Sequence, residues 1–337
     1  MNRPGKHNLI TDVAGLSVGN AADPKLRSGV TAVMCDKPAI ASVHLMGGAP
    51  GTRDSELLSP ENLVETVDAI VLSGGSAFGL DAATGVQAAL REHGRGLQVR
   101  GQVIPIVPSA IVFDLINGGD KDWGIYPPYR ELGHEAALNA SETFEIGTEG
   151  AGYGCLISGL KGGLGSASTV IENGVTVAAL VAVNALGAVT IGKTQNFWSA
   201  PFELENEFGG LGMPEHMPED AKKIRLKYRE DLSPMANTAI AVIATDAVLT
   251  KAQAKRLAIA AHDGIARAIW PSHTPMDGDL IYTIATGQSG VVPEVDELIY
   301  LGAHAASTLS RAVARGIYAA RQLPGDLFPC WQEKFGD

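Results

Sequence analysis

Residues 234–246 read Pro234-Met-Ala-Asn-Thr-Ala-Ile-Ala-Val-Ile-Ala-Thr-Asp246. A polar, proline-bearing approach stops at Asn237, and a nearly continuous apolar run begins at Thr238. Thr238 to Thr245 is rich in β-branched side chains and closed by Asp246, which predicts a buried strand with a hydroxyl residue in first position. Such a threonine can simply open a strand. It can also become a new N-terminus if the chain is cut between Asn237 and Thr238. A free α-amine has a pKa of about 8, so part of it is neutral near pH 7 and can act as base for the threonine's own hydroxyl.

Downstream, residues 250–269 predict an amphipathic helix, with Ala254, Leu257, Ala258, Ala261, Ile265, Ala268 and Ile269 on one face. His262 lies beside that face and reads as structural, and Pro271 ends the helix. The segment His273-Thr-Pro-Met-Asp-Gly-Asp-Leu280 leads into a strand at 281–285. Asp277 and Asp279 flank a glycine at the strand entrance. They form a turn, a cation site, or a carboxylate pair that orients a nucleophile. Two carboxylates alone make a poor metal site, and no metal or cofactor is expected. A long helix is predicted from Glu294 to about Arg321.

Upstream, residues 203–236 are crowded with charge and carry Pro214, Pro218 and Pro234, the pattern of an exposed linker. Val175 to Val183 predicts a strand that ends at Asn184. That side chain either caps the turn or donates to a developing oxyanion. Lys161 stands alone among glycines, as a surface group or a cation aimed into a cleft. Asp68 to Ser73 predicts a strand running into Gly74-Gly-Ser-Ala-Phe-Gly-Leu-Asp81 and a helix to about Arg91. This is the layout of a phosphate-binding loop, but the glycine spacing fits neither standard fingerprint. Close packing of helix on strand explains the glycines as well. Further strands are predicted at 31–36 and 39–44. The loop Gly47-Gly-Ala-Pro-Gly-Thr-Arg53 is a turn, or a loop that admits substrate to backbone amides.

Composition excludes several classes. The net charge is −11 and no run of Lys and Arg offers a basic face, so no nucleic-acid partner is expected. No window approaches the roughly 18 apolar residues of a membrane span, and the N-terminal residues lack an apolar signal core. Cys35, Cys155 and Cys330 are far apart and form no CxxC pair. Reduced thiols and a cytoplasmic location are the simplest expectation.

In this order, several stretches resemble the DmpA-type family of self-cleaving aminopeptidases, which includes β-peptidyl aminopeptidases and nylon-oligomer endohydrolases. They are Ile10-Thr-Asp-Val-Ala-Gly-Leu-Ser-Val-Gly19, Gly47 to Arg53, Leu72-Ser-Gly-Gly-Ser-Ala-Phe-Gly-Leu-Asp81, Asn117-Gly-Gly-Asp-Lys-Asp-Trp123, Asn237-Thr238 and Met276-Asp-Gly-Asp279. The resemblance implies a single catalytic domain, a four-layer α/β/β/α sandwich of the N-terminal-nucleophile hydrolase type. It implies a precursor that cuts itself into chains 1–237 and 238–337, and assembly as a homotetramer of such pairs. Thr238 matches the nucleophile, Asn184 the oxyanion-stabilising asparagine, and Lys161, Asp277 and Asp279 the charged residues of the nylon-oligomer branch. The β-peptidase branch carries Ser and Glu at the two acidic positions. Gly75, Ser76 and Phe78 fall where substrate is bound, with Phe78 in place of a tyrosine found in several members. Ala239 replaces a threonine often seen after the cut. The expected activity is hydrolysis of amide bonds in small peptides, amino acid amides or amide oligomers through an acyl-enzyme. The rival readings are an acyltransferase of the ornithine-acetyltransferase kind and a non-enzymatic nucleotide-binding relative.

Overall fold

A computed structural model describes residues 2–227 and 237–336. Its strands are β1 (Leu16–Asp23), β2 (Ser28–Leu45), β3 (Thr66–Ser73), β4 (Ser109–Ile111), β5 (Gly163–Val170), β6 (Thr176–Asn184), β7 (Thr238–Thr245) and β8 (Leu280–Ala285). Hydrogen bonding runs β5-β6-β7-β8-β2-β3-β4 to the short Thr52–Arg53 strand, with β1 on β2. Two parallel pairs, β7 with β8 and β3 with β4, are each bridged by a helix, α3 (Lys251–Ala268) and α1 (Ala82–Glu92). The other neighbours are antiparallel.

β2 makes one hydrogen-bonded path into two layers. Its first part pairs with β1 and β3, and its last part, Ile40 to Leu45, pairs with β8. The ladder to β3 shifts register between Met34 and Ala39, where Asp36, Lys37 and Pro38 are exposed. Pro38 has no N–H to give, so a break in the ladder falls naturally there. The sequence predicted two strands, at 31–36 and 39–44; the molecule has one long strand, with the register shift between them.

Alternation along the strands then sorts the side chains into three cores. Ala178, Leu180, Ala182, Ile240, Val242, Ala244, Leu280, Tyr282 and Ile284 meet Val18, Val33, Val43, Ile70 and Leu72 between the sheets. The opposite faces of β6 and β7 pack on α3 and α4 (Val295–Tyr318). The outer face of β1 to β3 packs on α1 and α2 (Tyr129–Leu138). The result is the α/β/β/α sandwich. α4 lies so close to β5 that a Cβ on Gly165 would sit 1.9 Å from the Ala312 carbonyl oxygen. Among the described residues no helix is long and apolar enough to cross a membrane.

Residues 203–227, expected as an exposed linker, are mostly exposed or half-buried but are pinned at Phe208, Ala221, Leu226 and Lys227, which are buried. The Glu207 carboxylate is held by Arg311 of α4, and Phe208 packs edge-on against Phe197 at 5.5 Å between ring centres. Residues 228–236, the rest of the expected linker, lie outside the described residues.

Candidate active site

The site lies at one end of the sandwich, where β6 finishes and β7 and β8 begin. Thr238 stands directly opposite Asn184 across the β6–β7 ladder. Directly opposed residues share a face, and this face continues into the inter-sheet core through Ala182 and Ile240. The sheet therefore aims both side chains into the mouth between the two sheets.

The Asn237–Thr238 peptide is gripped from β8's side. Asn237 bridges to Asp277, its N–H donates to the Met276 carbonyl (3.3 Å), and its own carbonyl accepts from the Gly278 N–H (2.8 Å). The Thr238 hydroxyl donates to that same carbonyl at 2.5 Å. Hydroxyl, carbonyl and an N–H aimed at the carbonyl oxygen thus converge on one peptide bond. Gly278 is required sterically, because a Cβ there would lie 2.9 Å from Thr238 Oγ1 and 2.7 Å from the Ala49 carbonyl oxygen.

Asp277 and Asp279 sit on either side of this glycine and are almost fully buried. They act on the backbone. Asp279 Oδ1 accepts from the Ala239 N–H (2.7 Å), which fixes the start of β7, and its other oxygen faces His273 Nδ1 at 2.9 Å. Asp277 accepts from Thr274 Oγ1 (2.6 Å) and from the Leu186 N–H (3.3 Å), just beyond Asn184. Burial, and then the charge of Asp279, raises the Asp277 carboxyl above its ordinary range. Burial opposes a charge on His273, but the Asp279 carboxylate outweighs it and holds the imidazole above its usual value. Behind them His262 packs edge-on against both His273 and His44, and burial pushes its pKa down to about 4. Its structural reading fits this environment.

The loop Gly47 to Arg53 proves to be a brace for the acidic turn. The N–H groups of Met46 and Gly47 donate to the Asp279 carbonyl, that of Gly48 to Thr274, and that of Ala49 to Asp277. These amides are therefore occupied and do not meet a substrate.

Asn184 is held at both ends of its amide. Oδ1 accepts from the Leu156 N–H (2.9 Å) and from Lys227 Nζ (3.1 Å), and Nδ2 donates to the Phe113 carbonyl (2.9 Å). Lys227 was hidden in the presumed linker, and its sequence neighbourhood offers no signal; only the fold brings it here. Lys161, the lysine singled out from sequence, is buried with Nζ 2.6 Å from Asp326, a carboxylate of the C-terminal segment, and no hydrogen bond among the described residues joins it to Thr238.

Gly75 and Ser76 form the neighbouring wall. Their N–H groups donate to the Asp114 carboxylate (2.7 Å) and the Val112 carbonyl (3.0 Å), on the same segment that carries Phe113. The Asp114 carboxylate occupies the anion-binding position of this glycine loop, which argues against a nucleotide phosphate there. Phe78 is half exposed and packs edge-on against Trp123 at 5.2 Å.

A hydroxyl residue opening a central strand, at the mouth between two sheets flanked by helices, defines a class: the N-terminal-nucleophile hydrolase fold. Solved structures agree on the fold. A β-aminopeptidase of a Burkholderia species superposes with a TM-score of 0.72 at 22% identity, over 99% of this chain and 93% of that one. An L-aminopeptidase D-Ala-esterase/amidase from Ochrobactrum anthropi, described as a new variant among the Ntn hydrolase fold, gives 0.68 at 22% identity over 98% and 91%.

The chain belongs to peptidase family S58, whose profile matches residues 8–327, and it is a hydrolase of peptide or amide bonds. An uncharacterized aminopeptidase of Mycobacterium tuberculosis is 41% identical over 345 residues, covering 96% of this chain and 98% of the relative. A 6-aminohexanoate-oligomer endohydrolase of a Kocuria species is 26% identical over 294 residues, covering 84% and 76%.

Proposed function

We propose that the chain matures by breaking its own Asn237–Thr238 bond and then hydrolyses small amides through Thr238. The observation that carries this reading is the convergence of the Thr238 hydroxyl and the Gly278 N–H on the Asn237 carbonyl. The hydroxyl oxygen adds to the carbonyl carbon. The oxyanion draws on the Gly278 N–H, a donor type typically worth about 3 kcal/mol in such sites. Collapse breaks the C–N bond, the proton passes to the departing amine, and Asn237 is left as an ester on Oγ1. Water then cleaves the ester, leaving a carboxylate on Asn237 and a free amine on Thr238.

In turnover that amine accepts the hydroxyl proton as Oγ1 attacks the substrate carbonyl, and returns it to the leaving amine. Asp279 fixes the first backbone amide of β7, and Asp277 braces the turn after Asn184, so both keep nucleophile and donor in register. Asn184 supplies the second oxyanion donor. Phe78 and Trp123 offer an apolar wall to the acyl or amine side chain. The substrate class is a small peptide, amino acid amide or linear amide oligomer. The same reading makes the protein cytoplasmic and a tetramer of paired chains, supported by its buried unpaired thiols and by the exposed Val295, Ile299 and Tyr300 on α4.

The test is an intact mass under denaturing conditions, followed by a panel of amino acid anilides and a 6-aminohexanoate oligomer. Two chains parting at 237–238, with Thr238→Ala neither cut nor active, are expected. An active Thr238→Ala chain would sink the reading. Transfer of the acyl group to added ornithine in preference to water would move the protein to the acyltransferase class.

A further inference from the structure

The site contains a cation that the proposed steps leave unused. Lys227 is 1% exposed, and its Nζ lies 2.7 Å from the Leu156 carbonyl oxygen, 3.2 Å from the Asn184 carbonyl oxygen and 3.1 Å from Asn184 Oδ1. Three N–H donors meet three oxygen acceptors, which is the bonding capacity of an ammonium and one more donor than a neutral amine has. No carboxylate among the described residues lies within ion-pair distance of it. Uncompensated buried charge is costly, so an ordinary core would not keep one.

Its contacts say what it does. An asparagine amide can sit either way round, and the wrong way would present oxygen to a developing oxyanion. As an ammonium Lys227 can only donate, so the atom it touches is then Oδ1. With the Leu156 N–H it occupies that oxygen, and the NH2 group is turned away from it. One N–H of that group reaches the Phe113 carbonyl, and the other is left over as a donor.

We propose that Lys227 is the positioning residue of the oxyanion site: it locks the Asn184 amide with its NH2 group presented as donor and supplies the positive charge that the oxyanion balances. This rests on the reading of Thr238 and Asn184 given above. The cation polarises the amide toward a stronger N–H donor, and the tetrahedral oxyanion adds a negative charge beside it as it forms. An interaction made only in the transition state accelerates the reaction. The groups facing Lys227 are the Cys155 thiol and the Asp277 and Asp114 carboxyls, and burial pushes its pKa down to about 7. Lys227 precedes the cut, so the chain about to be severed delivers the residue that prepares the donor.

The experiment follows self-cutting by intact mass in the full chain, which needs no knowledge of the substrate. If wild type does not cut, the Thr238 reading fails by itself. The amide contact is read separately, by thermal melting of a set built on Thr238→Ala so that every member is uncut. There Asn184→Asp places a carboxylate against Lys227 and is expected to raise the melting temperature. Adding Lys227→Met is expected to cancel that rise. In the cutting-competent chain, Lys227→Met is expected to cut at least 100-fold more slowly, Asn184→Ala similarly, and the double variant little slower than either. Lys227→Arg, which still donates with a positive charge, is expected to recover part of the rate. Cutting by Lys227→Met within threefold of wild type would overturn the proposal. So would multiplying effects in the double variant, or an Asn184→Asp chain that melts no higher than its parent.

Discussion

Two buried cations tie the segment 203–227 to the rest of the molecule, and they are held in opposite ways. Arg311, 1% exposed on α4, faces the Glu207 carboxylate and also donates to the Ser168 carbonyl, Thr169 Oγ1 and Asn8 Oδ1. Lys227, equally buried, makes its three hydrogen bonds to carbonyl oxygens. The first charge is cancelled where it stands, and its geometry is complete in the resting fold. The second has no carboxylate within ion-pair distance among the described residues. A charge kept without an ion-pair partner in a close-packed interior points to an event that supplies one, and this charge lies beside the strand ends where Thr238 meets the Asn237 carbonyl.

Breaking either contact tests the contrast. The largest loss of stability is expected from Glu207→Ala, which strands the Arg311 guanidinium in the core. Removing one partner of a buried pair typically costs about 3–5 kcal/mol, and chemical denaturation would measure it. Lys227→Met should cost little or raise stability, since it removes an unpaired charge and keeps the volume. An equal, large loss in both variants would erase the distinction. Gly278→Ala leaves both cations alone but drives a methyl against Thr238 Oγ1 and the Ala49 carbonyl. Self-cutting should slow by roughly 10- to 100-fold, in keeping with disturbance of one oxyanion donor, and intact mass against time would show it.

Proton linkage gives a further test of Lys227. The folded pKa of Lys227 is depressed to about 7 from 10.5. Between those values the unfolded chain binds a proton that the folded chain does not, so stability should rise with pH across that window. Lys227→Met should flatten this rise relative to wild type, read as stability against pH by chemical denaturation. The smallest effect concerns the histidines. His262 is depressed to about 4 from 6.5, so stability should fall as pH drops through that interval. His273, held above its usual value by Asp279, acts oppositely: its contribution is full below 6.5 and is lost as pH rises through its folded pKa. His262→Gln should therefore reduce the acid-side loss, read as the pH slope of the melting temperature.

Local chemistry made much of this legible. The runs that became β6, β7, α3 and α4 carry periodicity or continuous β-branching within a single element. Thr238, Asn184 and the acidic pair sit at element ends, where a change of pattern marks them. Three features were illegible because they depend on what the fold brings from afar. β5, Gly163-Leu-Gly-Ser-Ala-Ser-Thr-Val170, has a weak strand signal because its glycines leave room for α4 to approach. Gly278 contributes a backbone N–H, which no side-chain reading can see. Lys227 looked like one charge among many in a solvated stretch, while Lys161 stood out alone among glycines; the fold gave the first to Asn184 and the second to Asp326. The loop Gly47 to Arg53 invited a substrate-binding reading, but the amides of Gly47, Gly48 and Ala49 are spent on the turn carrying Asp277 and Asp279.

The order of the strands has a consequence for how the molecule would survive being severed. β7 and β8, from the later part of the chain, lie between β6 on one side and β2 on the other, both from the earlier part. A break at 237–238 would leave two polypeptides shuffled into one sheet, neither holding a complete layer. Their union would be secure while folded, yet unfolding would free two separate molecules. Recovery would then become a bimolecular encounter, slower on dilution, so the matured protein would be durable through the difficulty of coming apart more than through its ability to reassemble.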